Sequence, residues 1–74
     1  MDIEEKKAVV ADFIAKCNEY GARRLARYHA ELAAAAGPEA LAIQDKIGHW
    51  TAYVAFNEYT LEELKTAELD DWFR

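Results

Sequence analysis

Apolar and small residues recur along the first half of the chain at Val10, Ile14, Cys17, Gly21, Leu25, Tyr28 and Leu32. The steps alternate between four and three and close into an eleven-residue repeat, the period of a nearly straight helix with one apolar stripe. Asp2 stands where an N-cap is needed, and Glu5 three residues later completes a variant of the capping box. Good helix formers dominate from there to the "AAAAGP" run, so the pattern predicts a helix over residues 2–36. Gly37 suits the left-handed position that ends a helix, and Pro38 suits the first turn of the next. A turn of residues 37–38 is too short to do anything but reverse the chain.

The second helix is predicted over residues 38–57, antiparallel to the first, so that residues whose numbers sum to about 75 share a height. Leu32 should then face Ile43, Tyr28 face Ile47, Leu25 face Trp50, and Gly21 face Val54. In "YTLEEL", Thr60 and Glu63 read as another capping box, with Tyr59 and Leu64 as its hydrophobic staple, and predict a short third helix over 61–69 or 61–72; whether the second helix bends at 57–60 or runs straight through is left open by the sequence. Together these elements make one all-α domain over residues 1–74, a long helical hairpin with a short C-terminal helix.

The second helix is apolar on two sides. Ile43, Ile47, Trp50 and Val54 form its face toward the first helix, while Leu41, Ala52, Phe56 and Tyr59 lie opposite. The first helix has a similar surplus. Alanines 8, 11, 15, 22, 26, 30 and 33 fall to one side of its stripe, and Val9, Phe13 and Tyr20 project from the other. A helix of about 34 residues is roughly 50 Å long, so the hairpin cannot hide these faces itself. At 74 residues, apolar burial and the entropy of ordering nearly cancel for a lone chain. The simplest completion is a second copy, giving a homodimeric four-helix bundle.

Composition narrows the setting. A formal net charge of −5 opposes general nucleic-acid binding, and 53% hydrophobic residues oppose disorder. No apolar run reaches the length of a membrane span, and the charged "MDIEEKK" does not resemble a signal peptide. The single cysteine, Cys17, suits a reducing compartment and lies on the apolar stripe, where a thiol is ordinarily inert packing. A cytoplasmic protein is expected.

Candidate chemistry is sparse. Asp45 and His49 are four residues apart on one helix face, and with His29 could make a zinc-type set if a second subunit brought them together. An ordinary surface pair is the plainer reading. Arg23, Arg24 and Arg27, beside Tyr20 and Tyr28, offer a phosphate or RNA grip, although Glu19 and Glu31 sit at pairing distance from two of them. Gly21 makes room for a bulky neighbour such as Trp50 or Val54. No nucleophile, base and orienting group stand together, and no cofactor motif occurs, so no enzyme is expected. The strongest binding features are aromatic. Tyr53, Phe56 and Tyr59 can line a protein-binding groove, and Trp72 and Phe73 of "ELDDWFR" either tuck onto the hairpin or are presented to a partner. The expected protein is a small, non-enzymatic interaction protein, an adaptor, regulator or inhibitor, binding itself and a further protein. The alternatives are a metal- or ligand-binding bundle and a nucleic-acid binder.

Overall fold

The first helix starts where the capping pattern places it. In the computed structural model, which describes all 74 residues, the Asp2 carboxylate accepts a hydrogen bond from the backbone N–H of Glu5 at 2.8 Å. Glu4 and Glu5 add negative charge at the positive end of the helix dipole. Helix α1 spans Ile3–Ala34 without a break at Gly21. Ala35 and Ala36 are extended, and Gly37 takes φ +61°, the one left-handed residue in the chain. Pro38 then sits in the first turn of α2, Gly37–Leu64.

Helix α2 therefore runs seven residues past its predicted end at 57. The capping signal at Thr60 loses to propagation. Extending an existing helix adds a hydrogen bond for each residue ordered, whereas a new one must first be nucleated. No Gly or Pro interrupts residues 57–60, and the Thr60 hydroxyl turns back to donate to the Phe56 carbonyl at 3.0 Å. The stop comes at Thr66, whose hydroxyl donates to the Glu63 carbonyl at 2.7 Å and accepts from the Glu68 N–H at 3.1 Å. Such local bonds compete with the helical ladder. The predicted third helix over 61–69 or 61–72 is thus replaced. Its first turn belongs to α2, the chain bends through residues 65–69, and a 3₁₀ turn, Asp70–Phe73, follows.

The two helices pack as an antiparallel hairpin of 52 × 17 × 14 Å. Its radius of gyration is 16.3 Å, against about 11 Å for a compact chain of this length. The core is accordingly one seam. Seven residues are buried, and no large side chain is completely enclosed. Tyr28, Ile43, Leu64 and Leu69 are its buried apolar members, with Ile14, Leu25, Ile47, Trp50 and Val54 half-buried between them. The expected register holds at Gly21, where an added Cβ would lie 2.8 Å from Val54 Cγ2.

Three polar features run through the seam. Asn18 donates to the Val54 carbonyl at 3.2 Å, and Asn57 donates to Asn18 Oδ1 at 2.9 Å. At the open end, the buried Lys7 ammonium donates to the Thr66 carbonyl at 2.9 Å and to Asp70 Oδ1 at 2.7 Å. These bonds fold the tail back across α1, with Leu69 buried beneath it.

Candidate interaction surface

The two flanks of the hairpin differ in the size of their side chains. On one flank, Ala8 and Ala11 face Leu61 across an open groove of about 400 Å³ bordered by Glu4, Glu58 and Glu62 and by Lys7 and Lys65. The other flank carries the large residues. Tyr20 meets Trp50 edge-on with ring centroids 5.8 Å apart, and Trp50 meets Tyr53 in the same manner at 5.3 Å. Helical periodicity places Val9 and Phe13 on the Tyr20 side of α1, and Phe56 at the outer edge of the Tyr53 side of α2. A second groove, of about 370 Å³, joins Val9 and Val10 to Trp72 and Phe73 at the open end.

This flank is apolar and uncovered. Phe13 is 60% exposed, Phe56 68% and Trp72 78%. Of the nine large hydrophobic residues left exposed, only Leu41 and Tyr59 lie elsewhere, on the outer face of α2. Isolated exposed apolar residues are ordinary on a protein surface. A continuous run of them marks an interaction site.

A cation cluster closes the flank toward the turn. The Arg24 guanidinium lies over the rings of Trp50, Tyr28 and Tyr20 at 5.2, 5.4 and 5.6 Å. Its Nη2 donates to the Tyr28 hydroxyl at 2.9 Å, while its buried Nε has no partner. Arg27 and Lys46 also stand over the Tyr28 ring, at 5.5 and 5.6 Å. Three cations thus crowd one buried phenol, and the acid paired with any of them is Glu31, 3.5 Å from Arg27.

The sequence-predicted residues separate accordingly. Tyr53 and Phe56 fall on the apolar flank, with Trp72 at its end. Phe73 is half-buried, and its carbonyl accepts from the Lys6 ammonium at 3.2 Å. Phe73 is thus tucked against the hairpin, while Trp72 is exposed. Tyr59 lies apart on the outer face of α2, where Glu63 accepts from its hydroxyl and repels a phenolate, raising its pKa. Asp45 and His49 are exposed on α2 and His29 is exposed on α1, and no three His, Cys, Asp or Glu side chains come together in a metal-holding group. Arg24 is bound among rings, Arg27 is paired with Glu31, and Arg23 is exposed. Cys17 is half-buried in the seam.

Sequence reasoning missed Lys7, Asn18 and Asn57. Lys7 stands three residues before Val10, one step back along the same stripe, so the periodicity itself carried the signal. Asn18 and Asn57 obey the rule that facing residues sum to 75. No helix of the chain is long and apolar enough to cross a membrane. Compared with protein-family models, with curated proteins and with solved structures, the chain matches none.

Proposed function

We propose that this chain is a small, non-enzymatic helical protein that works by protein–protein interaction, first with a second copy of itself and, as that dimer, as an adaptor, regulator or inhibitor of another protein. The observation that carries the reading is the uncovered flank from Trp72 through Phe13 and Phe56 to Tyr53. Exposed aromatic residues in such a run favour burial against another polypeptide, where a few of them supply most of the binding free energy. The elongated shape supports the same reading, because a hairpin with one buried seam gains a second core when two copies pack into a four-helix arrangement. Both grooves on the surface are open, and their polar groups are carboxylates, amines and a guanidinium without a nucleophile beside a base. A cytoplasmic setting fits the lone, half-buried thiol.

The test is mass in solution. Sedimentation at micromolar concentration should give twice the 8.4 kDa chain mass, and Phe56→Lys with Phe13→Lys should return the protein to single chains that remain helical. A wild-type protein that stays monomeric up to its solubility limit would overturn the reading.

A further inference from the structure

We infer that the second copy docks on the aromatic flank, antiparallel about a two-fold axis, with Asp71 and Trp72 of each copy laid against Arg27 and Lys46 of the other. This rests on the self-association proposed above and names the surface and the polar contacts that would serve it.

Four observations point to this arrangement. The exposed large residues are concentrated on this flank, whereas the opposite one offers the small side chains of Ala8 and Ala11 in a groove of mixed charge, lined by Glu4, Glu58 and Glu62 with Lys7 and Lys65. The aromatic flank, in contrast, is polarised along its length. Arg24, Arg27 and Lys46 converge on Tyr28 toward the turn. At the open end, residues 1–7 and 68–74 hold six acids against three bases, and Asp71 and Trp72 project from the 3₁₀ turn, the Asp71 side chain 85% exposed.

The separation of these ends decides the symmetry. Lys46 stands at the height of residue 29 of α1, and the tail is tied at Lys7, so the two groups are about 30 Å apart along the hairpin. One chain cannot bring its own tail to its own cations. A parallel pair would stack cations on cations and acids on acids. An antiparallel two-fold pair makes the complementary contact twice, which is the self-complementarity that a closed dimer requires. Its axis falls at the height of residue 18. Tyr20 and Phe56 then lie near the axis, and Phe13 of one copy meets Tyr53 of the other.

The area is also sufficient. A side of 52 × 17 Å presents at most about 880 Å², against the roughly 800 Å² per partner of a standard stable interface. Asp71 is engaged at present by Arg74 at 2.6 Å, but both side chains are largely exposed, and such pairs contribute little. Exchange for a site already crowded with cations is therefore favourable.

Charge reversal and cross-linking test the geometry on the full chain. Asp71→Lys and Lys46→Glu alter exposed side chains, so helicity should stay as in the wild type, and melting should fall only as far as the weaker dimer requires. Each alone should raise the dimer dissociation constant by about tenfold or more, and the two together should restore most of it. In a Cys17→Ala background, Asp71→Cys combined with Lys46→Cys should give a covalent dimer under mild oxidation, because the two positions are too far apart to bond within one chain. Neither single-cysteine control should cross-link. A dimer that ignores both reversals, or one that cross-links through a single-cysteine control, overturns the docking geometry and leaves self-association standing. A monomer throughout overturns both.

Discussion

Lys7 and Asp70, 63 positions apart in the chain, meet at 2.7 Å and close the open end of the hairpin. The Lys7 side chain is 8% exposed and that of Asp70 20%, so the pair is mostly shielded from water, and the ammonium also holds the Thr66 carbonyl. Removing one member leaves the other desolvated and alone, which is the costly way to break such a pair. Lys7→Met should therefore destabilise the protein by about 2–3 kcal/mol, less than for a fully enclosed pair because water reaches Asp70. The tail should come loose, opening the Lys65–Thr66 bond to trypsin. Lys7→Met with Asp70→Leu should recover most of the loss. Thermal melting and limited proteolysis would show this, and a Lys7→Met protein with wild-type melting and a protected tail would refute the clamp.

Gly21 and Gly48, each inside a helix, predict opposite outcomes. At Gly21 a Cβ would stand 2.8 Å from Val54 Cγ2, and valine is stiff about χ1, so the neighbour cannot move aside cheaply. Alanine there gains about 1 kcal/mol of helix propensity and meets an overpacking cost of about 1–3 kcal/mol. Gly21→Ala should be neutral to destabilising by up to about 2 kcal/mol, and removing the γ-methyls with Val54→Ala should abolish that overpacking cost. At Gly48 a Cβ meets nothing within 4 Å, so Gly48→Ala should stabilise by up to about 1 kcal/mol. Equal effects of the two substitutions in denaturant titrations would show that the close approach at Gly21 carries no energy.

The hairpin was legible because its signals are local and repeated. The stripe from Val10 to Leu32, the Gly37–Pro38 turn and the antiparallel register follow from periodicity and turn chemistry alone. The end of α2 was not, because Thr60 presents a good capping pattern whose outcome depends on whether a helix already runs through it. Lys7 and Asn57 are polar by type, yet their positions in line with the apolar stripes place them inside. Burial of each depends on a partner that is distant in sequence. Tyr53 and Phe56 could be picked out on a helical wheel, whereas the nest of rings around Arg24 needs both helices in place. The division into an aromatic flank and an alanine flank lay half in view, on α1 alone, until Trp50 fixed which side of α2 adjoins Tyr20.

Asn18 and Asn57 form the polar contact at mid-length of the seam. Asn57 is 9% exposed, so its amide has exchanged water for Asn18 Oδ1. Asn57→Leu leaves that oxygen without its donor and should cost about 1–2 kcal/mol. Replacing both asparagines with leucine removes the orphaned group and adds apolar burial, so the double variant should melt at or above the wild-type temperature. Its expected loss is specificity, because a buried polar pair penalises sliding of one helix along the other. Amide NMR spectra should then show broadened or doubled signals beside Ile14 and Leu61. A double variant as well resolved as the wild type would mean that packing at Gly21 alone sets the register.

Tyr59 provides a pH-dependent readout of the outer face of α2. Glu63 one turn later accepts from the phenol and opposes its ionisation, so the pKa is raised in the fold, with a smaller repulsive contribution from Glu68. A raised phenol pKa means that the folded state favours the neutral form. The contribution to stability is complete below the ordinary phenol value near 10 and is lost as the pH rises through the higher folded value. Subtracting the phenolate absorbance of Tyr59→Phe from that of the wild type isolates this one titration. Glu63→Gln removes the charge and keeps a hydrogen-bond acceptor, so the midpoint should move down toward that of a free phenol. Glu68→Gln should lower it by less. A midpoint that stays in place in Glu63→Gln would show that the carboxylate does not hold the hydroxyl, and that the Tyr59 side chain is free to turn toward a partner.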